Sequence, residues 1–485
     1  MAARNRYADL LRIGAVGAVV LGHWLLTDVT WSGGRLSGRS ALPYVPWGAW
    51  ATLVLQTVPV LFVVGGYAHA ASWTAHRGRG EDWASWVRGR AVRLLWPTTL
   101  YVAAASAAAA CAAAAGADTA ALARAGWSTA LHLWFLPVYL LLVVLTPLLH
   151  AAHRRWGAAV PAAAAAGAVA VDAAVLGPRL PLVGFANHLL VWGSMHQWGF
   201  AWQDGTLTRP RRRCALLAAG GAAALAGLLA WGPFPVDMVG AGARTGNTAP
   251  PSVALLAFAA AQTGLLLTAE PAVSRLLARP SVRRRVSRLD RAVMTVYLWH
   301  MVPVVVVAVA LYPTGAVPQP GVGSARWWAL RAAWVALLAA LLVPLTAAVL
   351  RVQRPLGRLP AGDGAAGGRA SVLLLCGLGA VVPALARFAV AGFAPGGRPP
   401  VPVLAAYACG FAAVLLSGRA PPRRRAGRRV PGAVPAGGRP PGPPRAPGAQ
   451  PPARGGPEGE PPGVRPVRRR AAGSRRWRPG PTARA

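Results

Sequence analysis

The chain has no lysine and little acid. All 51 basic residues are arginine, set against 13 aspartates and glutamates, and charged residues fill only 13% of the 485 positions, about half the ~25% of an ordinary soluble domain. Together with a hydrophobic content of 55%, that scarcity excludes a water-soluble globular protein. Cysteine is scarce as well. Cys111, Cys214, Cys376 and Cys409 have neither paired nor metal-ligand spacing, and each falls in or beside an apolar run. They read as small core residues, so neither a disulfide framework nor a metal site is expected. The first apolar run carries Asp9 and Arg12 and is followed by no small-residue cleavage site; it reads as an uncleaved first span.

What is present is a formal charge of +38 on a greasy chain. Such a balance points to nucleic acid or to an anionic membrane surface, and the apolar runs favour the membrane. A transmembrane helix needs about 20 mostly apolar residues. Twelve runs qualify, at roughly 8–29, 49–75, 91–115, 131–149, 157–177, 185–203, 214–232, 252–270, 292–312, 327–350, 371–393 and 401–418. The predicted fold class is therefore all-α, a polytopic membrane bundle of about twelve helices. The connecting arginines alternate between its two sides, 24 on one and seven on the other. By the positive-inside rule the rich side is cytoplasmic, which places both termini there in a multi-pass cell-membrane protein. Residues 419–485 hold 17 arginines and 17 prolines and read as a disordered cytoplasmic tail with affinity for anionic lipid. Only Trp477 interleaves with those arginines, so nucleic acid is not an expected partner.

Ionisable groups inside a bilayer are costly and mark function by default. The first run has Asp9, Arg12 and His23. Eleven residues separate Arg12 from His23, about 1100° of helix and ~16 Å of rise, so the two share one face. Asp9, three residues before Arg12, is spaced to pair with it. On spacing alone, an arginine snorkelling to the headgroups and a histidine satisfied by a neighbouring helix fit equally well.

The stretch Tyr7-Ala8-Asp9-Leu10-Leu11-Arg12 with Gly22-His23 resembles the opening helix of the acyltransferase 3 family, integral-membrane enzymes that O-acylate carbohydrates, lipids and small molecules. Leu61-Phe62-Val63-Val64-Gly65-Gly66-Tyr67, Arg90-Ala91-Val92-Arg93-Leu94, His132-Leu133-Trp134-Phe135-Leu136 and Tyr297-Leu298-Trp299-His300 are similar to later motifs of that family, in the same order. The likeness covers a core at 5–350. The helices at 371–418 and the tail at 419–485 lie outside it. One departure is Gly65, where the family motif carries serine.

The resemblance implies an O-acyltransferase with no bound cofactor. Its donor would be a cytoplasmic acyl-CoA, acetyl-CoA in the first instance, and its acceptor a hydroxyl of a cell-envelope glycan, a lipid-linked sugar or a small metabolite. His23 would be the general base, with Arg12 and Asp9 beside it; Arg90 and Arg93 would hold donor phosphates; His132, Tyr297 and His300 would line the substrate path. Asp172 and His196-Gln197 are further intramembrane polar groups with no family match. His69, His76, His150, His153 and His188 read as ordinary, and Trp47, Trp50, Trp127, Trp156, Trp327 and Trp328 as an interfacial belt. The loops at 30–46 and 233–250 are too short to grip a polymer. The rival is a proton-coupled transporter with intramembrane histidine relays, which internal repeats would favour; residues 1–210 and 211–418 show no convincing similarity.

Overall fold

The computed structural model describes residues 5–240, 246–356 and 368–418. The predicted tail lies outside them. The described residues are mostly helical, with a single two-stranded sheet. Its helices are α1 (Arg6–Leu26), α2 (Gly48–Leu55), α3 (Val58–Arg77), α4 (Trp83–Ala114), α5 (Thr119–Ala130), α6 (Phe135–Trp156), α7 (Ala159–Leu176), α8 (Asn187–Gln203), α9 (Arg212–Trp231), α10 (Val253–Leu277), α11 (Pro280–Asp290), α12 (Val293–Trp299), α13 (Val302–Leu311), α14 (Ala325–Leu356), α15 (Gly368–Ala391) and α16 (Val401–Leu416). Among the described residues, ten helical segments are long and apolar enough to cross a membrane. The two other predicted runs are also helical but shorter, α8 with 17 residues and α16 with 16.

Three of the apolar runs are broken, and the breaks matter more than the count. The second divides at Gln56-Thr57 between α2 and α3, the fourth begins with a 3-10 turn at Leu131–Trp134, and the ninth divides at His300-Met301 between α12 and α13. Interrupted backbone at membrane depth persists only where neighbouring protein re-satisfies it or where it lines a cavity. Here Gln262 donates to the Gln56 carbonyl at 2.9 Å, Thr57 to the Ala15 carbonyl at 2.9 Å and Trp24 to the His300 carbonyl at 2.8 Å.

α1 is the central pillar, touching α2, α3, α10, α11, α12 and α14. α3 crosses α8 so closely that a Cβ on Gly66 would run into the His196 backbone, and one on Gly199 into that of Val63. Small residues at such crossings are what let membrane helices approach. Gly66→Ala is therefore expected to cost about 1–3 kcal/mol by overpacking, measured as thermal unfolding in detergent; an unchanged unfolding temperature would contradict the crossing.

Residues 27–29, expected at the end of the first span, leave the helix instead. Thr27–Ser32 and Arg35–Ser40 pair as antiparallel strands β1 and β2, with Ser32 opposite Arg35. Gly33 and Gly34 turn the hairpin with φ of 56° and 76°, the left-handed pair that a two-residue hairpin loop demands. The cysteine reading needs correction. Cys111, Cys376 and Cys409 are exposed, and only Cys214 is buried. An apolar run in a membrane protein has a lipid-facing side as well as a core side, and sequence alone does not separate them.

Candidate active site

Arg12 and His23 do share one face of α1, and each meets the segment that runs beside it. Arg12 Nη1 lies 2.8 Å from Asp290 Oδ1 at the end of α11, and His23 Nδ1 lies 2.7 Å from His300 Nε2 in the break after α12. The acid seen holding the Arg12 guanidinium is thus Asp290, 278 residues away in sequence, while Asp9 sits 3.5 Å from Arg6. Helical spacing alone could not weigh Asp9 against an acid from a distant helix.

The histidine pair has a defined polarity. His300 Nδ1 is 2.7 Å from the Tyr297 carbonyl, which only accepts, so Nδ1 carries the proton and the neutral ring's Nε2 accepts. His23 Nδ1 must then donate to it, which leaves the lone pair on His23 Nε2. A carbonyl thus fixes one imidazole and that imidazole fixes the next, as an orienting partner does for a catalytic histidine. The break between α12 and α13 exposes the geometry that makes this possible.

His132 and Tyr297 complete the cluster from the back. His300 and His132 are fully buried, with ring centroids 4.9 Å apart. The Tyr297 hydroxyl donates to the His132 carbonyl at 2.5 Å, tying the 3-10 turn of residues 131–134 to α12. Among these four, only His23 lines the adjoining cavity. α15, outside the region of resemblance, packs on the same 3-10 turn and on α6, and its Val390 reaches the cavity wall.

That cavity holds about 750 Å³ and lies at the His23 end of α1. Trp47, Trp327 and Trp328 line it. The belt reading fails for Trp327, which is 2% exposed and whose indole donates to Asp28 Oδ1 at 3.2 Å. His188, read as ordinary, is also on the wall. Sequence reasoning missed Asp28 altogether. This buried carboxylate takes Arg331 at 3.2 Å and Arg39 at 3.1 Å, and the Arg39 bond pushes that guanidinium's pKa up from its ordinary value. Arg331 also stacks over Trp327, 3.9 Å from the ring centroid. The network pins β1 and β2 to α14 behind Trp327, which lines the cavity wall. Asp28→Asn is expected to destabilise the protein by about 3–5 kcal/mol, because Arg331 would stay buried without its counter-charge; thermal unfolding of the purified variant measures it.

At the other end of α1 the arginines separate. Arg90 is half-buried, stacks over Trp86 at 5.7 Å and reaches the Ala68 carbonyl at 3.4 Å; Arg93 is exposed. Arg88, deeper than either, bonds the carbonyls of Val414 and Leu415 and so caps α16. Close to Arg12 and Arg90 lies a second histidine pair that the sequence did not announce, His69 Nδ1 to His196 Nε2 at 2.9 Å, both buried. The Gly65 departure is filled here: a Cβ on that glycine would lie 2.7 Å from Cε2 and 2.9 Å from Oη of Tyr139, so the tyrosine occupies the space of a larger residue. Asp172 has a structural task. It accepts from Asn187 at 2.7 Å and from the first backbone N–H of α10, at Val253, at 2.8 Å.

Bundle and site together define a polytopic membrane protein with an oriented imidazole pair opening onto an internal cavity. Residues 5–351 match the family model described as an acyltransferase domain. The chain belongs to the acyltransferase 3 family and is a membrane acyltransferase. Among curated proteins and among solved structures, nothing matches it.

Proposed function

We propose that the protein moves an acyl group from an acyl-CoA, acetyl-CoA in the first instance, to a hydroxyl of an acceptor held at His23. The observation that supports this best is the polarity of the pair, with Tyr297 carbonyl, His300 and His23 in series and the free lone pair at His23 Nε2. In the reaction the acceptor O–H gives its proton to Nε2 as its oxygen attacks the thioester carbonyl. The C–S bond then breaks, and the departing thiolate takes that proton back. The imidazolium that forms between these events keeps its Nδ1–H on the His300 lone pair. An acyl-histidine at His23 is the competing form of the same step.

The arginine-rich end is the cytoplasmic side in this reading, with both termini on the cytoplasmic face of a cell membrane. The donor enters there. Arg12 and Arg90 flank Tyr139 closely enough to act on it electrostatically, and Arg93 stands at the surface; guanidinium forks suit the donor's phosphates. The ~16 Å of α1 between Arg12 and His23 is the span that the donor's arm would bridge.

The reading is tested by giving membranes an acyl-CoA labelled in its acyl group together with envelope and metabolite extracts. A labelled oxygen ester is expected, absent from membranes without the protein. Proton-driven solute uptake with no ester formed would favour the transporter instead.

A further inference from the structure

An acetyl group and a sugar hydroxyl do not account for the cavity beside His23. Its volume of about 750 Å³ lies within the range of sites that enclose a whole small molecule. Its walls are overwhelmingly apolar: Val19, Leu25, Leu26, Val45, Ala51 and Leu55 are typical. The few oxygen-bearing side chains are already engaged. Thr52 donates to the Ala49 carbonyl and accepts from the Met238 N–H, Gln56 bridges the Met238 carbonyl and the Val58 N–H, and Thr248 donates to the Val239 carbonyl. A glycan would have to surrender its water here with few partners in return, a net penalty for every unpaired hydroxyl. The rim agrees with the wall. Trp47, Phe185 and Val390 line the cavity and are 54%, 67% and 71% exposed, so the mouth is apolar where an aqueous mouth would be polar. In a bilayer such an opening admits molecules from the lipid phase or its interface.

We propose that this cavity seats a long hydrocarbon chain of the acceptor, so that the hydroxyl acylated at His23 is the head of a lipid alcohol or another hydroxylated amphiphile. The inference rests on His23 as the base. It assigns the chain to the acceptor because the donor comes from the Arg12 end, while the cavity lies at the opposite end, walled by residues of the 27–46 and 233–250 segments. His23 and the chain then approach the bound thioester from the side away from the donor.

The test uses the full-length protein in lipid nanodiscs and a 1-hexadecanol carrying a mid-chain diazirine. Light is expected to fix the probe to the segments at 41–56 and 181–190. Competing 1-alkanols, compared at equal mole fraction in the bilayer, should displace it with a potency that changes little per methylene up to the length the cavity holds and falls beyond it, because lipid tails and the wall are about equally apolar. Ala51→Phe, which fills the wall, should cut labelling at least about tenfold. His23→Ala should keep the labelling and lose acetyl ester formation on the alcohol. Adducts spread evenly over the outer helices, or displacement by a free disaccharide, would overturn the proposal, and the wild-type pattern decides this even if Ala51→Phe fails to fold. Labelling as expected with no His23-dependent ester on any acceptor would instead overturn the acyl-transfer reading and leave the hydrocarbon site standing. An ester formed on a disaccharide and not on alkanols would do the reverse. Chain-length dependence in the donor alone would also overturn the assignment, moving the chain to the acyl group.

Discussion

His23→Ala in a purified preparation is expected to lower acyl transfer by about 10²- to 10⁴-fold, the usual contribution of a positioned general base. Its fold should survive. His23 is only half-buried on the cavity wall, whereas the residues that hold the break after α12 together, Trp24 and Tyr297, are untouched. Initial rates with labelled acyl-CoA, read beside thermal unfolding, separate the two effects. Rates within a few-fold of the wild type would remove His23 from the mechanism, and trapping of a labelled histidine would convert the base into a nucleophile.

The second large effect is expected from a residue that touches no substrate. His300 is fully buried and in the proposed relay acts through His23, so His300→Phe should lower kcat about 10- to 100-fold, the scale seen when a partner that orients a metal-binding histidine is removed. KM for the donor should stay put, because the donor would be held at the Arg12 end of the site, and Arg12 lies ~16 Å down α1 from His23. His300→Gln is the discriminating variant. Its amide oxygen can still accept from His23 Nδ1, so it should recover much of the loss; a purely structural role, in which only the filled volume counts, would make Phe the better substitute.

Much of this arrangement could be read in the sequence, for identifiable physical reasons. Apolar runs of spanning length and alternating loop arginines report on the bilayer directly, so the helical class followed from them. The common face of Arg12 and His23 followed from the helical period, because both lie within one unbroken helix. What escaped were consequences of breaks and of long-range pairing. Nothing local to His300 says that the chain pauses there and turns Nδ1 onto the Tyr297 carbonyl. Asp28 looked like a loop residue next to a span end, yet Arg331 and Trp327, three hundred residues on, make it a buried counter-ion. Arg88, Arg90 and Arg93 form one basic cluster in sequence; burial divides them into a cap for α16, a half-buried cation beside Tyr139 and a surface charge. The hairpin did leave a signal in Gly33-Gly34 between β-branched and polar residues, which the apolar run ahead of it masked. Trp327 was misread because an interfacial belt and a cavity wall both recruit the same amphipathic ring.

The central claim is that His23 and His300 work as one relay, and a double-mutant cycle tests it most directly. With kcat measured for His23→Ala, His300→Phe and the pair together, the double variant should be no slower than His23→Ala alone, since the partner has nothing left to orient. Losses that multiply, the double variant falling a further 10- to 100-fold, would contradict the relay and return the two histidines to independent roles.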